Sequence, residues 1–228
     1  MRRIALATLG CVIMVTASAT QGRARLTGRV TILEKDNKAP GDISDAVVWI
    51  ESRQGTTVDS NPPRTLDIAI NDKVYAPHVV VAPVGSTVRF PNHDPFNHNV
   101  FSVSDQNSFD LGLYGRGETK TKTFTQGGLV RVFCNVHPRM VAYVVLVNNR
   151  YFTQPGTDGS FVIAEVPPGR YRLHVWHERV PDEAVQDVLV GPGGQPVQVQ
   201  LDARKYRFVA HKNKFGKNYP TNAGRERY

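Results

Sequence analysis

The chemistry of this sequence is concentrated in one cysteine, one methionine and two histidines. Phe133-Cys134-Asn135-Val136-His137-Pro138-Arg139-Met140 places a thiol, an imidazole and a thioether within one short run. Upstream by 36 residues, Asn97-His98-Asn99-Val100-Phe101 supplies a second imidazole at the start of an apolar run. A thiolate, two imidazoles and a thioether form a soft, mixed donor set that suits copper. A short loop holding Cys134, His137 and Met140 gathers three donors around one ion. His98, arriving from a neighbouring strand, completes a trigonal His₂Cys plane with the thioether as a weak axial donor. A site of this kind exchanges one electron between Cu(I) and Cu(II) with little rearrangement.

The rest of the composition sharpens that reading. The 228 residues contain only two cysteines and three methionines. Cys11, Met1 and Met14 fall in the opening MRRIALATLGCVIMVTASA, where Arg2 and Arg3 precede an apolar run, Ile4 to Val15, and then Ala17-Ser18-Ala19. That pattern predicts a secretory signal peptide over 1–19, cleaved near Ala19. The run is shorter than the ~20 residues a bilayer span needs, so no integral membrane segment is expected. Export leaves Cys134 alone. A single cysteine excludes an internal disulfide framework, a four-cysteine zinc site and a Cys-x-x-Cys-His haem attachment. In an oxidising compartment an unpaired thiol needs a reason, and a metal supplies one. The rival reading makes Cys134 a small core residue, Met140 a gap-filler and His137 a surface group, which leaves the lone thiol unexplained.

The elements that must position these donors read as strands. Short β-branched runs, punctuated by Gly, Pro, Asn and Asp, recur throughout, and no segment of ten or more residues carries a helical period. Predicted strands include Thr27–Leu33, Ala46–Glu51, Leu66–Ile70, His78–Val81, Thr87–Pro91, Asn99–Val103, Lys120–Phe124, Gly128–Cys134 and Ala142–Asn148. Five more follow: Tyr151–Thr153, Ser160–Ala164, Gly169–His177, Ala184–Val190 and Pro196–Asp202. Turns are written at Asn71-Asp72, Asp158-Gly159, Pro167-Pro168-Gly169 and Gly191-Pro192-Gly193-Gly194. The expected class is all-β, with two sandwich-like units.

The stretch from Leu66 to Asn148 resembles a cupredoxin, the Greek-key blue copper fold. The Cys-x-x-His-x-x-Met spacing is that of amicyanins and pseudoazurins, and plastocyanin has two more residues before its Met. Gly85-Ser86-Thr87-Val88-Arg89-Phe90 and His98-Asn99-Val100 extend the resemblance. It implies one type 1 copper ion, with His98, Cys134 and His137 as strong ligands and Met140 as the axial one. It also implies that Asn99 ties the ligand loop to the first-histidine strand. Relatives usually have Ser or Thr after the Cys, whereas this chain has Asn135, which bears on that tie. His93 is a loop residue close to His98 that the family pattern does not require. His174 and His177 are expected on opposite faces of a strand, and His78 and His211 as incidental.

Thr157-Asp158-Gly159-Ser160-Phe161 and Val166-Pro167-Pro168-Gly169-Arg170-Tyr171-Arg172-Leu173 resemble the carboxypeptidase regulatory-like (transthyretin-like) β-sandwich. The Gly-x-Val and Ala-x-Val strands that open such modules occur upstream, as Gly28-Arg29-Val30 and Ala46-Val47-Val48-Trp49. The expected organisation is a sandwich from 24–60 and 149–203 with a cupredoxin, 61–148, inserted into it. The alternative makes 24–60 an extra strand pair on the cupredoxin. The chain order is also similar to that of methylamine-utilisation-like proteins. Residues 202–228 carry eight Lys/Arg against two acids. The segment 204–228 reads as a solvated basic tail, or as a docking arm for an acidic partner or an anionic membrane surface.

The resemblance implies an exported, periplasmic one-electron carrier, not an enzyme. Its partner would be a c-type cytochrome or a quinoprotein dehydrogenase, and nucleic acid is excluded. The His137 ring edge, amid Val136, Pro138 and Val141, is the expected electron port, with Arg139 favouring acidic partners. Two competitors stand beside it: a copper chaperone or scavenger without redox turnover, and a structural or adhesive sandwich module.

Overall fold

The computed structural model describes residues 22–37, 42–53 and 60–220. The expected signal peptide, 1–19, and the end of the tail, 221–228, lie outside the described residues. The chain is all-β, and the described residues hold seventeen strands, two short 3₁₀ turns and no α-helix. No helix among them is long and apolar enough to cross a membrane.

Strands β1 (Ala24–Leu33) and β2 (Val47–Ser52) open the chain. Ten strands follow: β3 (Thr65–Asp67), β4 (Ala69–Asn71), β5 (Val74–Ala76), β6 (Val79–Pro83), β7 (Thr87–Pro91), β8 (His98–Ser102), β9 (Phe109–Tyr114), β10 (Thr119–Thr123), β11 (Gly128–Cys134) and β12 (Val141–Val147). The last five are β13 (Phe152–Thr153), β14 (Ser160–Val166), β15 (Gly169–Trp176), β16 (Ala184–Val190) and β17 (Val197–Asp202). Among the described residues β1 pairs with β14 and β17, β2 pairs with β13 and β15, and β16 joins through β15. The sheets β14-β1-β17 and β13-β2-β15-β16 face each other across a core that includes Val30, Val48, Ile50, Phe161, Leu173 and Leu201. The intervening strands form β10-β7-β3, β6-β12-β11-β8-β9 and the hairpin β4-β5 around a second core.

Side-chain alternation explains the packing. In β17, Val197, Val199 and Leu201 are buried while Gln198 and Gln200 face water. The run VAYVVLV of β12 lies between β6 and β11, buried on both faces. Ala142, Val144 and Leu146 fill the second core. Val145 and Val147 fill a third cluster, with Val47, Val79 and Trp176, which joins the two sandwiches. Across the same seam His78 Nε2 lies 3.0 Å from Glu178, so His78 is not incidental. Edge strand β10, TKTKT, guards its sheet with lysines. Gly28 is required where it stands: a Cβ there would sit 2.4 Å from the Val197 carbonyl and 2.6 Å from the Phe161 ring.

Two strands escape the sequence pattern. β9 contains Asp110 and Gly112 and pairs with β8 through a register shift between Asn99 and Phe101, which breaks the alternation. β5 is three residues long and begins after the tight turn at Asp72 and Lys73, both at positive φ. The predicted strand Leu66–Ile70 splits into β3 and β4, because β3 pairs with β7 and β4 with β5.

Candidate metal centre

β8 begins at His98 and β11 ends at Cys134, and the two strands pair antiparallel with Cys134 opposite Val100. β11 returns as β12 with Phe133 opposite Val141. Residues 135–140 are therefore a closed hairpin loop. The Met140 N–H donates to the His137 carbonyl at 3.2 Å, and the Cys134 N–H to the Met140 carbonyl at 3.3 Å. The Asn135 N–H donates to the Asn99 carbonyl at 3.0 Å, tying the loop to the first-histidine strand.

This framework brings three predicted ligands together. His98 Nδ1 and His137 Nδ1 each lie 3.6 Å from Cys134 Sγ. Among the described residues, His98, Cys134 and His137 are the one group of His, Cys, Asp or Glu close enough to share an ion. Met140 closes the loop behind them with 2% of its surface exposed. Bonds of about 2.0 Å to nitrogen and about 2.3 Å to sulfur, meeting at about 110–120°, separate their donors by about 3.5–3.7 Å. The observed spacings fit a single soft metal ion held by this set.

The protonation pattern favours the same use. His98 Nε2 lies 2.8 Å from the buried Asp94 carboxylate, which accepts its proton and leaves Nδ1 as a lone pair. Burial raises the Asp94 pKa, but the Lys73 N–H, His98 and the Asp72 N–H together bring it below the usual value. Burial, then His98 and Lys73, push His137 down to about 4, so its ring is neutral at pH 7. Neutral imidazole is the form that binds a metal. Phe96 packs against both rings, with centroids 5.2 Å from His98 and 5.8 Å from His137. Burial first, and then the neighbouring Cys134, raise the phenols of Tyr75, Tyr114 and Tyr219.

Several expectations need correction. His137 is only 4% exposed, so its ring edge is not an open port. The predicted patch of Val136, Pro138, Arg139 and Val141 is partly covered by residues 206–211. The His211 N–H donates to the Pro138 carbonyl, Arg139 stacks over Phe208, and Val141 shares a groove with Tyr206, Phe208 and His211. Asn99 does bond the loop, but through its backbone carbonyl, while its side chain donates to Asp110 at 2.6 Å. Asn135, where relatives have Ser or Thr, turns outward and accepts the Lys214 N–H at 2.9 Å.

His93 is exposed, and its neighbour Asp94 is the group that reaches the site. Asp94 was legible in principle as a carboxylate four residues before His98. His174 stacks on Trp49 and pairs with Glu183 at 2.9 Å. His177 lies just beyond β15 and accepts the Arg179 N–H. His211 and Tyr219 also reach the site. His211 Nε2 lies 3.2 Å from the His137 carbonyl, and the Tyr219 hydroxyl donates to the Cys134 carbonyl at 2.7 Å. No periodicity in the tail announces either contact.

Comparison with known proteins finds no matching family model and no matching curated protein. Among solved structures, the chain is similar to a purple cupredoxin from Nitrosopumilus maritimus, at 25% identity over 36% of this chain and 98% of that one, with a TM-score of 0.32. It is similar to amicyanin from Paracoccus versutus at 22% identity over 43% and 98% of the two chains, with a TM-score of 0.34. It also matches a copper-containing nitrite reductase from Thermus scotoductus at 27% identity, over 41% of this chain and 24% of that one, with a TM-score of 0.34.

Proposed function

We propose that this protein is an exported one-electron carrier with a single type 1 copper ion, held by His98, Cys134 and His137 with Met140 as the weak axial ligand. The observation that carries the reading is the convergence of both Nδ1 atoms on one buried thiol, each at 3.6 Å. Copper bound there would supply the Cu(I)/Cu(II) couple. The protein's part is to hold the donors still: β8 and β11 fix His98 and Cys134, Asp94 fixes the His98 ring, and the closed loop fixes His137. A dry, prearranged donor set keeps the change between oxidation states small, which suits electron transfer better than release of the ion to another protein.

We further propose that 61–148 is a cupredoxin unit inserted into a carboxypeptidase regulatory-like sandwich made of 24–60 and 149–203. The pairing of β1 with β14 and β17, and of β2 with β13 and β15, supports this division. The N-terminal segment 1–19 would direct export to the periplasm, where a c-type cytochrome or quinoprotein dehydrogenase is the class of partner.

A visible and EPR titration of the purified protein with Cu(II), before and after ascorbate, tests the reading. An intense thiolate-to-copper band that bleaches with ascorbate and returns in air is expected. A pale spectrum, or uptake of Cu(I) alone, would replace the carrier by a copper chaperone.

A further inference from the structure

The segment after β17 crosses from one sandwich to the other and is bound along its length. The Ala203 N–H donates to the Leu33 carbonyl in the first unit. Beyond it the chain lies on the candidate metal loop, touching Phe133, Cys134, Asn135, His137 and Pro138. The His211 ring stacks on Phe133 with centroids 4.5 Å apart, and its Nε2 meets the His137 carbonyl. The Lys214 N–H meets Asn135, the Lys214 ammonium pairs with Asp110 at 2.5 Å, and the Tyr219 hydroxyl meets the Cys134 carbonyl. These contacts make 203–220 a strap over the centre rather than a free tail.

The outer face of the strap has a different character. Residues 203–220 contain six Lys/Arg and no acid. Arg204 and Lys214 are used in ion pairs with Asp202 and Asp110. Lys205, Arg207, Lys212 and Lys217 are exposed, and no ion pair among the described residues engages them. Between these cations stand Val209 and Phe215, 79% and 72% exposed. Large apolar side chains held in water among cations, directly over a closed redox site, are the signature of an interaction surface. The direct route through the His137 edge is shut by its burial and by Phe96.

We propose that the outer face of this strap is the docking surface for the electron-exchange partner, a protein with an acidic rim and an apolar centre; the inference rests on the electron-carrier reading. The exposed cations meet the acidic rim and steer association, while Phe215 and Val209 meet the apolar centre. Copper held by His98, Cys134 and His137 would supply the one electron that the oxidised partner takes up, the metal passing from Cu(I) to Cu(II). The strap contributes contact within hydrogen-bond distance of Cys134 and His137 and takes no part in the bond changes.

The test uses the full chain loaded with Cu(I) and a variant in which Lys205, Arg207, Lys212 and Lys217 are each replaced by Glu. None of these side chains makes a strap-to-loop contact, so an unchanged visible band after reoxidation checks the fold. The redox-inert paramagnetic anion hexacyanochromate(III) should broaden amide signals of 205–217 in the parent and not in the variant. Oxidation of the parent by hexacyanoferrate(III) should slow about tenfold or more in the variant at low salt, and oxidation by the cation tris(phenanthroline)cobalt(III) should speed up. Broadening centred on Lys120 and Lys122 of β10, or equal rates in parent and variant, would overturn the proposal. Retention on phosphatidylserine vesicles at about 0.15 M salt, lost in the variant without any change in rate, would reassign the strap to a membrane surface. A parent with no band that bleaches and returns would remove the carrier reading itself, an outcome read before any comparison with the variant.

Discussion

Asp94 and His98 form a buried pair in which the carboxylate, 2.8 Å from Nε2, fixes which nitrogen of the ring faces Cys134. The same carboxylate accepts the N–H groups of Asp72 and Lys73, at 2.6 and 2.9 Å. One acid therefore couples His98 to the tight turn of the β4–β5 hairpin. Asn92 completes the arrangement, its amide donating to the Phe96 and Tyr114 carbonyls and its oxygen accepting the Asp94 N–H.

Asp94→Ala should lower copper affinity by about 10–100-fold, the usual cost of losing the group that orients a ligand histidine. Asp94→Asn, which keeps an acceptor oxygen, should lose less. Competition against a chelator of known affinity measures both. Equal affinity in all three proteins would mean that His98 is oriented by its strand alone.

Cys134→Ser should abolish the thiolate-to-copper band while leaving the far-ultraviolet circular dichroism of the β fold unchanged. Cys134 is fully buried in the second core, so replacing its sulfur with a hydroxyl also costs stability, about 1–3 kcal/mol if the hydroxyl finds no partner. A surviving visible band would move the metal away from this cluster.

The grouping of His98, Cys134 and His137 was legible in the sequence because strand ends that the pattern marks hold the first two and a short loop holds the third. His98 opens β8, Cys134 closes β11, and the loop between β11 and β12 is too short to place His137 elsewhere. The strands with clean alternation, such as β17, were legible for the same reason. What escaped is tertiary. Asp94 is a turn residue by composition and becomes part of the site only because β4 and β5 bring their turn beneath it. His211 and Tyr219 lie in a segment with no period, and their contacts depend on where β17 ends against Leu33. β9 was hidden by Asp110 and Gly112, although Asp110 holds both the Asn99 amide and the Lys214 ammonium.

Met140→Leu should keep the thiolate-to-copper band and raise the reduction potential, since an apolar side chain in place of a weak axial thioether favours Cu(I). Met140 is packed in the core, and Leu approximates its volume, so the loop should close as before. Voltammetry reads the shift. Complete loss of copper would show that the thioether is a principal ligand.

Tyr219→Phe removes the hydroxyl that bonds the Cys134 carbonyl at 2.7 Å and lies 3.5 Å from His211 Nδ1, and it keeps the ring contact with His211. The expected cost is about 0.5–1.5 kcal/mol in thermal or urea unfolding, with faster extraction of copper by a chelator because the ligand loop is less restrained. Extraction at the parental rate would confine the strap to its outer-face role.

His177 gives a pH dependence far from the metal ligands. It is 2% exposed, accepts the Arg179 N–H on Nδ1, and is held down to about 4 by burial first and Arg179 next, against the opposing pull of Glu178. Below its ordinary value of 6.5 the unfolded chain binds a proton that the folded chain refuses. Folding is therefore unpenalised above about pH 6.5 and loses stability progressively as the pH falls towards 4. At 1.36 kcal/mol per unit the loss amounts to about 3 kcal/mol. His177→Asn keeps an acceptor for the Arg179 N–H and has no titration. Urea unfolding of both proteins at pH 7 and pH 4.5 should show the variant losing less stability between the two values. Parallel losses would place the acid sensitivity elsewhere, the His78–Glu178 pair across the seam being the nearest alternative.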